Sequence, residues 1–159
     1  MHSIEIDKID LAILKLLQTH GRLSNQELAE LVGLSPSPCS RRVKALEATG
    51  FISGYATLLS ARHFDLRLTA FVQVQLEKQM HNVLNDFEEK VATYDEVQEC
   101  YLLTGSDADY QLKVLVEDMD AYREFILDRL LSLPFISGIK SSFVLKAVKN
   151  NTQIPLPDK

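Results

Sequence analysis

Within the stretch SPSPCSRRVKALEATG, Ser35 to Gly50, the side chains of Ser37, Ser40, Arg41 and Lys44 fall on one side of a helical projection, with Arg42 at its border. Hydroxyl and guanidinium groups so arranged donate to phosphate oxygens and to base edges, so the chemistry they suit is recognition of double-stranded DNA. A solvated helix face can carry the same charges. The surrounding elements decide between the two. For bond-making chemistry the sequence offers little: His2, His20, His63 and His81 are scattered, with none at metal-ligand spacing to a carboxylate or thiol. Neither a phosphate-cradling glycine loop nor a nucleophile elbow occurs. No catalytic residue, metal or cofactor is expected.

The basic helix needs partners to hold it. In DKIDLAILKLLQTHG, Ile9, Ala12, Ile13, Leu16 and Leu17 recur at the i, i+3, i+4, i+7, i+8 spacing of an amphipathic helix, and Gly21 lies just past its end. SNQELAELVG sets Ser24 three residues before Glu27, a capping box, and closes on Gly33. Ser35 can cap the next helix, with Pro36 and Pro38 in its first turn, where no helical amide bond is lost. Cys39, Val43 and Leu46 form its apolar stripe. Gly50 ends it, and FISGYATLL is β-prone with a turn at Ser53 and Gly54. Three helices with short turns and then a small β element predict a winged helix-turn-helix.

Past the polar stretch SARHFDLR the hydrophobic period changes. LTAFVQVQL alternates Ala70, Val72, Val74 and Leu76 against Phe71, Gln73 and Gln75, the pattern of a strand with one buried face. Met80, Val83, Leu84, Phe87 and Val91 fit a helix, and VQECYLL and YQLKVLV predict strands on either side of TGSDAD. Asp118 can cap a helix carrying Tyr122, Phe125, Ile126 and Leu130, and GIKSSFVLKAV predicts the last strand. The order βαββαβ is the ferredoxin-like plan, an antiparallel sheet with two helices on one face, so the chain as a whole is α+β. The expected division is a DNA-binding domain over 1–52, a β linker over 53–66 and a second domain over 67–159. The open sheet face would carry Phe71, Tyr101 or Leu102, Leu115, and Phe143 or Val144. Such a patch predicts at least a dimer.

A net charge of −5 over 159 residues does not oppose DNA binding, because the charge is unevenly placed. Residues 1–60 hold six Lys/Arg and six Asp/Glu, while 61–159 hold eleven against sixteen. Distant acidity is screened over ~8 Å in physiological salt, leaving a local basic face effective. No apolar run approaches the ~20 residues of a membrane span, and MHSIEIDKIDLAI is too acidic for a secretory signal. A cytoplasmic protein with no membrane partner is expected, and Cys39 and Cys100 are read as reduced core thiols.

Taken together, DKIDLAILKLLQTHGRLSNQELAELVGLSPSPCSRRVKALEATGFISGYATLL, LTAFVQV, YLLTGSDADYQLKV and SSFVLK resemble the Lrp/AsnC, or feast/famine, family of transcriptional regulators over essentially the whole chain. The segment LSPSPCSRRVKALE resembles the family's recognition helix down to its Pro-Cys pair. The resemblance implies Ser35, Ser37, Ser40, Arg41, Arg42 and Lys44 as the DNA-facing set. It also implies a second domain that dimerises, often assembles into tetramers or octamers, and senses a small effector, an amino acid. The effector would lie at the loop TGSDADY between facing sheets: Thr104, Gly105, Asp107, Asp109 and Tyr110, with Ser141 and Ser142 within reach of the same cleft. An aspartate there can pair with a ligand ammonium. The family's loop sets two residues between glycine and aspartate and this chain has three, so Asp107 or Asp109 is the match. The phase of the strand beginning at Tyr110 favours Asp109. An ordinary polar hairpin explains the same loop without a ligand. Sirohaem decarboxylases resemble the same two-domain architecture, so an enzyme of that kind is the alternative, and haem uptake against retention of operator DNA separates the two.

Overall fold

Asp7 opens the first helix, α1 (Lys8–Thr19), with a capping box: its carboxylate accepts from the Ile9 and Asp10 amides while Asp10 reaches back to the Asp7 amide. The computed structural model describes residues 6–77 and 80–157, so His2 lies outside the described residues. Helix α2 (Asn25–Val32) carries the expected box between Ser24 and Glu27 and stops at Gly33, whose φ of 70° is left-handed and suits a residue without Cβ. Helix α3 (Pro36–Ala48) starts on its prolines as expected, but Ser35 makes no capping bond. Pro38 sits where a capping hydroxyl usually finds an amide, and proline has none to give.

The molecule consists of two compact units, residues 1–58 together with 149–159, and residues 59–148. The expected division differs at the C-terminal end, where the final segment belongs to the first unit. In that unit Ile13, Leu14, Leu28, Ala29, Cys39 and Leu46 form the core. Helix α1 buries more than its predicted stripe, because Leu11 and Leu14 are also buried. The reason is a second covered face: residues Leu11, Leu14 and Leu17 line a cavity of about 640 Å3 with Ile154, Pro155 and Leu156 of the C-terminal segment. The β-prone stretch after α3 forms no strand; residues 54–60 run without regular structure, with Tyr55, Leu58 and Leu59 exposed. A strand needs a hydrogen-bonding neighbour, and among the described residues this stretch pairs with none.

The second unit is built in the order β1 (Leu68–Leu76), α4 (His81–Val91), β2 (Val97–Leu102), β3 (Tyr110–Val116), α5 (Met119–Glu124), a π-helical continuation over Phe125–Leu130, and β4 (Ile136–Phe143). All pairings are antiparallel and the strand order is β2-β3-β1-β4, the ferredoxin-like arrangement. Alternation buries Ala70, Val72, Val74 and Leu76 of β1 and Tyr110, Leu112, Val114 and Val116 of β3 against Phe87, Val91, Phe125 and Leu130. Each fully buried Val, Leu or Phe contributes about 1.5–3 kcal/mol by removal from water. Asp118 caps α5 through the Ala121 amide, as expected. Strand β4 stops short of its predicted end at Val148. Phe143 already faces Ala70, β1 begins only two residues earlier at Leu68, and nothing remains for the chain to pair with.

Register assigns each residue to a face. Gly138, Lys140 and Ser142 stand opposite Gln75, Gln73 and Phe71 on the open side of the sheet. Ser141 and Phe143 point to the helices, where the Phe143 ring lies 5.0 Å from that of Tyr122. Tyr101, opposite Gln111, is the open-face member of its pair, while Leu102 opposite Tyr110 is not. The open face is therefore less apolar than expected. Phe71, Tyr101 and Leu115 share it with three glutamines and with Lys113, which is ion-paired to Glu99 at 2.7 Å. Both cysteines are free. Cys39 is buried, but Cys100 is exposed on edge strand β2 and not in the core, and partial desolvation of its thiol beside the helix, then Glu88, push it up to about 11.

Candidate functional site

Two side chains of α3, Cys39 and Leu46, are fixed in the first unit's core, and the Asn25 amide donates to the Pro36 carbonyl at 2.8 Å, tying the helix start to α2. This geometry turns the opposite face outward. Ser35, Ser37, Arg41 and Lys44 are exposed and Ser40 is half-buried, so five of the six expected DNA-facing residues lie on or beside one accessible surface. Arg42 departs from that set. Its Nη1 lies 2.8 Å from both Asp7 Oδ2 and Asp10 Oδ1, which joins α3 to the first turn of α1. A guanidinium already neutralised by two carboxylates is a poor phosphate ligand, and helical spacing within α3 could not reveal partners more than thirty residues away.

The Asp10 amide and then Arg42 hold the Asp7 carboxyl below its ordinary value of 3.8. A depressed carboxylate pKa stabilises the fold above the unfolded value, and the contribution is lost as pH falls through the folded value. Arg42→Ala is therefore expected to lower the unfolding temperature at pH 7, with the gap to wild type closing below about pH 4. Thermal unfolding of both proteins across that range checks it, and a gap independent of pH would place Arg42 elsewhere than in this ion pair.

The loop between β2 and β3 turns at Gly105, where φ is 79°. Ser106 braces it from inside, accepting from the Ala108 amide and donating to the Ala108 carbonyl, while the Leu103 amide donates to the Asp109 carbonyl at 2.7 Å. Thr104, Gly105 and Asp107 are exposed. Asp109 is not: it is 7% exposed and its carboxylate accepts from the Leu76 amide at 2.7 Å. Its own amide donates to Val74. Asp109, expected to meet a ligand, here has its carboxylate engaged at the end of β1, and Asp107 is the exposed aspartate of the loop.

Tyr110, also in the expected effector set, lies in the core. It is 1% exposed, its ring centroid lies 4.5 Å from that of Phe87, and its hydroxyl donates to Glu88 at 2.6 Å. Burial and then Glu88 raise its pKa. Ser141 is drawn to the helix side by a hydrogen bond from the Tyr122 hydroxyl, which leaves Ser142 as the serine on the open face.

Asp107 lines a cavity of about 230 Å3 with Gln73, Gln75, Ala108, Gly138 and Lys140. A Cβ at Gly138 would stand 3.4 Å from Gln75 Oε1, in ordinary contact with it. Chemically the cavity offers one carboxylate, one ammonium and two amides that donate and accept, a set matched to a small zwitterion. The glutamines and Lys140 were absent from the sequence-based set. Their signal was parity: Gln73 and Gln75 occupy the non-core phase of a strand whose other phase is wholly apolar.

Residues 6–53 match the winged helix-turn-helix DNA-binding family, and residues 69–154 match the Lrp/AsnC ligand binding domain. The leucine-responsive regulatory proteins of Klebsiella pneumoniae and Escherichia coli K12 are each 42% identical over 150 residues, covering 94% of this chain and 91% of theirs. Among solved structures, the L-Met complex of a transcriptional regulator from Neisseria meningitidis superposes with a TM-score of 0.91 at 44% identity, covering 95% of this chain and 97% of that one. Escherichia coli AsnC gives a TM-score of 0.86 at 25% identity over 95% of this chain and 99% of its own. With both halves matched and this level of identity across nearly its full length, the chain belongs to the Lrp/AsnC family of transcriptional regulators.

Proposed function

We propose that this regulator binds operator DNA through the outward face of α3 and is controlled by a free amino acid held at the open face of the second unit. Ser35, Ser37, Ser40, Arg41 and Lys44 face DNA, and Arg42 positions the helix. The effector's ammonium meets Asp107 and its carboxylate meets Lys140, with Gln73, Gln75 and Ser142 nearby and Thr104 and Gly105 at the loop's edge. The observation that carries this reading is the cavity in which Asp107 and Lys140 converge with two amides. The related Neisseria regulator, solved as its L-Met complex, supports methionine as the first amino acid to try.

The regulator acts as a dimer or larger. Phe71, Tyr101 and Leu115 on the open face and the unpaired stretch around Tyr55, Leu58 and Leu59 both gain from a second copy, the first by stacking of sheets and the second by strand pairing as the β linker. Two-fold assembly presents two recognition helices to two half-sites. We assign it no reaction, in keeping with relatives named as regulators, and place it in the cytoplasm with DNA. Among the described residues no helix is long and apolar enough to cross a membrane.

Thermal shift against each of the twenty amino acids tests the effector site. A ligand present at ~100 times its Kd adds ~2.7 kcal/mol to the native state. Asp107→Asn or Lys140→Ala is expected to weaken that ligand at least about tenfold without lowering the ligand-free unfolding temperature, since each breaks only a charge-assisted contact made to the ligand. No stabilisation of wild type by any amino acid, or full affinity in both variants, would sink the assignment. Sedimentation at micromolar concentration checks the assembly, and a monomer would overturn it.

A further inference from the structure

Residues 149–157 are the last part of the chain, yet they belong to the unit that begins it. Three observations describe how they are held. The Gln18 side chain grips one main-chain residue at both ends, accepting from the Ile154 amide at 2.8 Å and donating to the Ile154 carbonyl at 3.4 Å, as a neighbouring strand would. Leu156 packs against the core formed by Ile13, Leu14 and Leu28. Pro155 and Pro157 bracket Leu156 and fix φ on either side of it, which lowers the entropy lost when the segment docks. Together they line one cavity with Leu11, Leu14 and Leu17 of α1.

We infer that this segment is a strap, a second covalent tether through which the effector unit acts on the DNA-binding unit. The chain passes between the two units twice, once after Leu58 and once after Val148. The second passage starts from β4, the strand that supplies Gly138 and Lys140 to the candidate effector cavity. Ten residues, 144–153, separate the end of β4 from Ile154, where the strap is held. A displacement of β4 on ligand binding can pass along this stretch to Ile154 and α1. The strap thus gives the ligand a route to the DNA-binding unit within one chain, in addition to any change in assembly.

The functional half of this inference rests on the effector reading above, and the test separates the two. Full-length chain carrying Gln18→Ala and Leu156→Ala is compared with wild type in hydrogen exchange of the α1 amides, in L-methionine binding, and in affinity for one operator site with and without L-methionine. Exchange in α1 is expected to quicken at least about tenfold, because local opening becomes easier. Affinities for L-methionine and for ligand-free DNA are expected to stay within about twofold of wild type, while the ligand's effect on DNA affinity falls to below about a third of its wild-type size. If the double variant unfolds, Gln18→Ala alone keeps the apolar contacts and shows the same changes at smaller size. Unaltered α1 exchange overturns the strap. Faster exchange with an undiminished ligand response overturns its part in transmission. If wild-type protein responds to none of the twenty amino acids, the effector reading fails, and the strap is judged by α1 exchange alone.

Discussion

Replacing Arg41 and Lys44 together by alanine is expected to weaken operator binding by about one to two orders of magnitude and to lower the slope of log K against log salt by about 2. Both side chains are exposed on the face of α3 opposite Cys39 and Leu46, and among the described residues neither forms a salt bridge. They are cations with no competing intramolecular partner, so each is available to displace a condensed counterion from DNA. The apolar stripe of α3 is untouched, and circular dichroism and unfolding temperature should match wild type. Fluorescence anisotropy titrations at several salt concentrations measure both effects. Arg42→Ala provides the internal contrast: with its charge already held by Asp7 and Asp10, it should leave the salt slope nearly unchanged. A double variant with the wild-type slope would remove α3 from the DNA interface.

The second large effect is expected where sequence favoured a ligand and structure supplies a brace. Asp109→Ala removes a buried charged acceptor from the Leu76 amide and leaves that donor unpaired at the end of β1. Hydrogen bonds to charged groups contribute about 1.5–3 kcal/mol, and an orphaned buried donor adds a desolvation cost, so a loss of about 2–4 kcal/mol is expected. For a domain of this size that lowers the unfolding temperature by roughly 10–20 °C. Asp107→Ala, at an exposed position two residues earlier, should change ligand-free stability by less than about 0.5 kcal/mol. The two aspartates are thus separated by one urea or thermal series. Equal stability in both variants would return Asp109 to the list of ligand contacts.

Local pattern carried much of this molecule. Strands β1 and β3 run over the residues that period-two alternation marked, and Ser24, Gly33, Pro36 and Asp118 set helix ends where their chemistry requires. These features depend on residues within a few positions of each other. What sequence left hidden depends on distant partners. Arg42 looked outward until Asp7 and Asp10 met it. The β-prone stretch around Tyr55 had the composition of a strand but no neighbour to pair with. Tyr110 and Asp109 adjoin the loop, but the phase that locates them sends one into the core and the other onto Leu76. Leu11 and Leu14 fell outside the obvious stripe of α1 because the segment covering them lies at the opposite end of the chain.

That last contact has a consequence for how the protein is made. Gln18 and Ile154 are 136 positions apart. Emerging from the ribosome at ~5–20 residues per second, the N-terminal helices wait several seconds or longer for the segment that finishes them. Throughout that interval Leu11 and Leu17 lack the apolar residues of 154–156 beside them, a surface suited to capture by a chaperone or by a neighbouring nascent chain on the same message. The unit that holds the N-terminal helices is therefore finished only after the last strand of the other unit has been made.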